Sequence, residues 1–272
     1  MRRTDSSPHN LMTADRTRLV ACPCLVLILN QNGGEKMAHR KLLNESSDAK
    51  TVKGEALKYM TGILYLTPSD LVDGVNLCPF ASKGCREACL YSAGRGKFSN
   101  VKQGRQSKTE LFRDDLEFFM FSLVKEIMRV KRKAARQGMT PVIRLNGTSD
   151  IKWENIILPS GNNIFEEFPD TQFYDYTKDW TREKALEGYW SNYHLTFSWS
   201  EDKRNQKKAL EFIDRGINVA IVFDKVPEVF RERKVINGDE TDLRFLDGRG
   251  VVVGLKAKGD AKKDTSGFVF KG

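Results

Sequence analysis

Apolar residues along the chain fall into blocks with two different periods. "GILYLTP" (62–68), "PVIRLNG" (141–147), "QFYDYTK" (172–178), "YHLTFSWS" (193–200), "NVAIVFD" (218–224) and "VVVGLKA" (251–257) are runs of strand length, rich in aliphatic and aromatic residues. Between them the period lengthens. From Ser107 to Gln137 the positions Phe112, Leu116, Phe119, Leu123, Ile127 and Val130 recur every three or four residues, which predicts one long helix with a single apolar stripe, stopped at Gly138. "NIFEEFP", "TREKALEGY" and "NQKKALEFIDRG" are shorter helical candidates, and "KVPEVFRERK" reads as a short helix within the less regular 225–249 segment.

Strand candidates alternating with helices predict β–α units and a parallel sheet, and the count suits a partial barrel or a doubly wound sheet. The strand ends favour the barrel. Arg144, Asn146, Ser149 and Asp150 close one strand region; Asp175, Thr177 and Lys178 the next; then Ser198, Ser200 and Glu201, Asp224 and Lys225, Lys256 and Lys258. Parallel barrels carry their sites at the carboxyl ends of the strands, so these polar residues should meet at one mouth. The expected fold is an α/β domain over residues 37–272, a partial parallel (β/α)6-type barrel.

Composition changes this picture little. The 272 residues are 40% hydrophobic and 30% charged, enough for a substantial core. No apolar run reaches the ~18 residues that span a bilayer, so no membrane association is expected. The formal charge of +9 suggests an anionic partner, with nucleic acid the first candidate. Residues 1–36 stand apart. "NGGEKM" can be encoded by a bacterial ribosome-binding sequence placed just ahead of an ATG, which points to Met37 as the true start and to 1–36 as translated leader or a disordered arm. "CPCLVLIL" (22–29) lacks the order of parts of a secretory signal. Without 1–36, which holds five basic and three acidic residues, the charge is still +7.

The most informative stretch is "CPFASKGCREAC", with Cys78, Cys85 and Cys89 within a dozen residues just after the first strand. A disulfide would leave one thiol over. A structural zinc wants four ligands, and only His39 and His194 remain to complete a set after residue 37. Unliganded thiols are a third account. A [4Fe–4S] cluster held by three thiolates is a fourth, and it would leave one iron open to a substrate or cofactor. Cys85 and Cys89 are one helical turn apart, so a single turn of helix would aim both sulfurs the same way.

A three-cysteine loop after the first strand of a β/α barrel resembles the radical S-adenosylmethionine superfamily. That resemblance implies a [4Fe–4S] cluster on Cys78, Cys85 and Cys89, S-adenosylmethionine on its open iron, and a 5′-deoxyadenosyl radical. The spacing here is C-x6-C-x3-C where that superfamily commonly has CxxxCxxC, and "RLNGTSD" stands where it has a GGE-type motif. The chain from about residue 50 onward also resembles the phage gene product 88 domain family, through "CPFASKGCREACLYSAGRG", "RLNGTSDIKWE", "QFYDYTK" and "GDETDLRFLD…GVVVGLKAKG…DTSGF". That resemblance implies a viral protein acting in the cytoplasm of an infected bacterium.

Other residues have weaker signals. "SAGRGKFSNVKQGRQSKTELF" lacks GxxxxGKS/T and is no phosphate loop, though Arg95, Lys97 and Arg105 could hold an anion at its helix start. Arg144 and Asn146 share one strand face, as do His194, Thr196 and Ser198. The cofactor-contacting set expected at the mouth is Arg144, Asn146, Asp150, Asp175 and Lys178. Two functions fit: an iron–sulfur enzyme of radical S-adenosylmethionine type, or a non-catalytic phage protein that binds nucleic acid or a host factor around a structural metal.

Overall fold

The computed structural model describes residues 40–45 and 49–271. The expected leader and the start at Met37 lie outside them. The elements in chain order are β1 (Leu43–Asn44), α1 (Ala49–Glu55), β2 (Tyr59–Leu64), α2 (Lys83–Glu87), α3 (Ser99–Asp114), α4 (Leu116–Arg136), β3 (Thr140–Arg144), α5 (Ile164–Glu167), β4 (Gln172–Thr177), α6 (Glu183–Leu186), β5 (Tyr193–Ser198), α7 (Lys203–Asp214), β6 (Val219–Phe223), β7 (Val229–Phe230), β8 (Arg233–Asn237) and β9 (Val252–Lys256).

The strands form one nine-stranded sheet in the order β1-β2-β3-β4-β5-β6-β9-β8-β7. The six strands expected from the sequence, β2 to β6 and β9, are mutually parallel neighbours in chain order. β8 adds parallel to β9, and short antiparallel strands finish both edges. The row is open: the fold is a mixed α/β sheet, mostly parallel, without the hydrogen-bonded closure of a full barrel.

The two faces of the sheet are chemically distinct because strand side chains alternate. Ile143, Leu145, Phe173, Leu195, Phe197 and Ile221 point into the main core, where Phe119, Leu123, Ile127 and Val130 of α4 meet them. Each of those four helix side chains is fully buried, worth roughly 1.5–3 kcal/mol apiece. On the opposite face Val142 and Tyr174 pack with Leu243, flanked by Tyr59 and Phe245.

The expected single long helix is two. Asp115 leaves helical geometry at φ −145° and ψ 76°, and its carboxylate accepts the Phe118 N–H at 2.9 Å, capping α4. α3 reaches back to Ser99, and Leu116, expected on the apolar stripe, is 41% exposed at the first turn of α4. The stop at Gly138 is present, with φ at +63°. "KVPEVFRERK" is not a helix. Val229 and Phe230 pair with Lys234 and Arg233, and Arg231 and Glu232 turn between them at φ +46° and +63°. Those two positive φ values make the twisted two-residue hairpin that suits strand pairing, and Val and Phe favour strand there.

Candidate functional site

A cavity of about 320 Å³ opens at the carboxyl ends of the parallel strands, within the size range of small-molecule sites. Cys78, Cys85 and Cys89 all line it, and all three are half-buried. The segment carrying them is built by local hydrogen bonds. Ala81 N–H returns to the Cys78 carbonyl at 3.0 Å across Pro79, and Ser82 caps α2 by accepting the Cys85 N–H at 3.2 Å. Helix α2 ends at its Ala88 cap. Cys89 therefore lies outside the helix, in extended backbone at φ −59° and ψ 134°, with its sulfur accepting the Tyr91 N–H at 3.5 Å. The expected shared helical turn for Cys85 and Cys89 does not form, because five helical residues from Lys83 end before the second thiol. Both sulfurs reach the cavity from different backbone geometries.

The loop after β3 ties the cysteine segment down. Asp150 N–H donates to the Leu77 carbonyl at 2.8 Å, and the Cys78 thiol donates to the Thr148 carbonyl at 3.8 Å. Burial pushes the Cys78 thiol up to about 12, with Asp150 and the other two cysteines adding to the rise. Burial also raises Cys89, opposed by the Tyr91 N–H, Lys178 and Arg105. These thiols therefore stay protonated at neutral pH until positive charge arrives among them.

Four of the five expected cofactor-contacting residues line the cavity: Arg144, Asn146, Asp150 and Lys178. Their roles differ. Asn146 spends its side chain on its own loop, accepting from Ser149 Oγ, Ile151 N–H and Trp153 Nε1 and donating to the Ile151 carbonyl. Asp150 accepts the Lys178 N–H at 2.8 Å and pairs with Arg182 at 3.3 Å. Arg144 is buried, bonded to Asp242 at 2.6 Å and stacked over the Tyr176 ring at 4.9 Å. Lys178 is the freest. Its ammonium donates to Ser198 Oγ at 2.7 Å and sits 5.4 Å over the Phe268 ring, and among the described residues no carboxylate pairs with it.

Asp175 does not line the cavity. It alternates onto the helix side of β4, fully buried, where it accepts the Asn146 N–H at 2.7 Å. Thr177, Ser198, Ser149, Lys256 and Lys258 line the cavity, while Ser200, Glu201, Asp224 and Lys225 stand outside it. His194 and Thr196 are on the inner strand face as expected but below the cavity; burial lowers His194 to about 4. Arg105 is spread over the Tyr65 and Tyr91 rings at 5.0 and 5.4 Å, and Arg95 and Lys97 do not reach the cavity.

Sequence reasoning missed the far wall. Lys53, Tyr176, Asp239, Thr241, Asp242 and Phe268 line the cavity and come from α1, β4, the segment after β8 and the carboxyl-terminal segment. The signal was in the Gly/Asp-rich "GDETD" and in "DTSGF".

Among the described residues no three His, Cys, Asp or Glu side chains gather closely enough to share one metal ion. One zinc would need its thiolates about 2.3 Å from a common point, so the cysteines as placed do not form a mononuclear site. A cluster divides its thiolates among several irons and asks instead for thiols spaced around one cavity. The donor set suits that requirement: three sulfurs of one segment on a shared cavity, with the Lys178 ammonium, held by Ser198 Oγ, beside them. No helix among the described residues is long and apolar enough to cross a membrane.

The family model described as gene product 88 matches residues 34–272, and the chain belongs to that family. No curated protein and no solved structure matches the chain.

Proposed function

We propose that this gene product 88 protein is an iron–sulfur protein of radical S-adenosylmethionine type, acting in the cytoplasm of a phage-infected bacterium. Cys78, Cys85 and Cys89 would hold a [4Fe–4S] cluster at the mouth of a partial (β/α)6-type barrel. The observation that carries this is the convergence of three cysteine side chains on one cavity at the carboxyl ends of sequentially ordered parallel strands. When bound, such a cluster supplies an iron with an open coordination position and an electron for reductive cleavage.

The chain's own residues bind and orient around that position. The Lys178 ammonium, held by Ser198 Oγ, offsets negative charge at the thiolates and can hold an anionic group of a cofactor or substrate. Arg144, fixed by Asp242 and Tyr176, presents a guanidinium to the same space. Asp150 and Asn146 brace the mouth through Arg182 and the 146–153 loop. Leu90, Ala261 and Phe268 give the cysteine end apolar lining.

The test is anaerobic purification with iron, sulfide and visible absorbance measured per chain, and electron-spin spectra of the reduced protein with and without S-adenosylmethionine. About four irons and four sulfides are expected, with a spin signal that changes on adding the cofactor and is lost in Cys78→Ala, Cys85→Ala and Cys89→Ala. Zinc alone, or no metal in a folded protein, overturns the proposal. Salt-dependent nucleic-acid binding without any cofactor effect would then place the protein among non-catalytic binders.

A further inference from the structure

Glu201 lies outside the cavity, three residues past the end of β5, yet it is the side chain that reaches across to the cysteine segment. Its Oε2 accepts the Ser82 hydroxyl at 2.7 Å and its Oε1 accepts the Gly84 N–H at 2.7 Å. Ser82 Oγ in turn accepts the Cys85 N–H at 3.2 Å. A continuous path therefore runs from one carboxylate through a hydroxyl to the backbone of a cavity-lining cysteine. The same carboxylate also fixes the residue immediately before that cysteine.

Both ends of this path are rigid. On the Glu201 side, Ser200 N–H donates to Asn205 Oδ1 at 2.7 Å, Asn205 Nδ2 returns to the Ser198 carbonyl at 3.0 Å, and Asp202 caps α7. On the cysteine side Gly84 is enclosed. A Cβ there would lie 2.1 Å from Ser266 Oγ, 2.8 Å from Phe268 Cβ and 3.0 Å from Glu201 Cδ. The carboxyl-terminal segment that closes over Gly84 is itself held by Asp264, which accepts the Ser266, Gly267 and Val269 N–H groups. Phe268 and Val269 share a small apolar cluster with Ala88, Ala257 and Ala261, against which Cys85 packs.

On the premise that the three thiols serve a common ligand, we infer that Glu201 is the positioning residue of the cysteine centre, holding α2 so that the Cys85 sulfur faces the cavity. Cys78 and Cys89 are positioned by other groups, the Thr148 carbonyl and the Tyr91 N–H. Loss of Glu201 thus acts on one thiol of three. A carboxylate accepting a hydroxyl and an amide at once is a strong, charge-assisted anchor, and among the described residues no second carboxylate bonds either donor.

The experiment uses the full chain, reduced and metal-free, and measures the alkylation rate of each cysteine by mass spectrometry in wild type, Glu201→Ala, Glu201→Gln and Ser82→Ala. Glu201→Ala should speed alkylation of Cys85 by about tenfold, through local opening of α2, while Cys78 and Cys89 change less than about twofold. Glu201→Gln keeps an acceptor for Gly84 and should fall between the two. Iron uptake after anaerobic reconstitution should drop in Glu201→Ala and recover in part in Glu201→Gln. Equal acceleration at all three cysteines, or no change at Cys85 in a folded variant, overturns the inference. If Glu201→Ala does not fold, Ser82→Ala decides in its place, since it cuts the path at its middle and leaves the Gly84 bond. Thiol rates are read without metal, so a wild type that takes up no iron would defeat the proposed function and leave the role of Glu201 separately decided.

Discussion

Asp175 shows how one strand position separates two roles. Arg144 and Tyr176 face the cavity, but Asp175 alternates onto the opposite side and is fully enclosed. Burial pushes its carboxyl from the ordinary 3.8 up to about 7, against the pull of the Arg144 guanidinium 3.9 Å away. The folded state therefore holds a proton that the unfolded chain has lost. Its contribution to stability is full below pH 4 and fades as pH rises through 7. Asp175→Asn keeps an acceptor for the Asn146 N–H and cannot ionise. Its urea stability relative to wild type should therefore improve steadily from pH 4 to 7, by at most ~1.4 kcal/mol per pH unit. A flat difference across that range would mean the carboxyl is ionised throughout. Asn146, two residues beyond Arg144, lines the cavity as strand parity predicts and is also the hydrogen-bond hub of the 146–153 loop. Parity gives the face a side chain points to, but a side chain's partners depend on what the loop brings back.

Helix α2 carries Cys85 to the cavity, and it is five residues long. A helix that short has no stability of its own, so tertiary contacts must hold it. Gly84 is where they concentrate. Alanine would gain roughly 1 kcal/mol in helix propensity, but its Cβ would meet the rigid Phe268 Cβ at 2.8 Å. Gly84→Ala should therefore cost ~1–3 kcal/mol in urea denaturation by overpacking. A stabilised variant would show that the carboxyl-terminal segment does not seat on α2. The segment 225–234, expected as a short helix, forms a hairpin instead. Arg231 and Glu232 at positive φ are unusual hairpin residues, so no Asn-Gly or Gly signal marked the turn.

Across the whole molecule, parallel pairing in chain order brings segments far apart in sequence to one mouth. Cys78, Arg144, Lys178, Asp242 and Phe268 span nearly 200 positions and line one cavity. The sheet's edges are weak by comparison. β1 and β7 are two residues each, while β3 to β6 are covered by helices on one face and by the Leu243–Phe245 segment or the cavity walls on the other. Native-state hydrogen exchange should find the amides of β4 and β5 opening only with global unfolding, and those of β1 and β7 opening earlier. Comparable protection in β7 and β4 would show that the hairpin belongs to the central folding unit.

Six strands, their parallel sense and the gathering of polar strand ends at one mouth were legible in the sequence because apolar period and polar strand endings are local properties. The three cysteines were legible because their clustering is a matter of spacing. The long helix was misjudged because an apolar stripe continues across Asp115, where a capping carboxylate interrupts the backbone without interrupting the pattern. What tertiary structure alone decided was which of the strand-end residues are free to meet a ligand. It placed Asp175 behind the sheet, bound Asn146 and Asp150 into the scaffold, and left Lys178 open beside the thiols. It also set Glu201 against α2 from a distance of over a hundred residues. Such pairings depend on crossover geometry and on competing partners, and neither is written in the local order of residues.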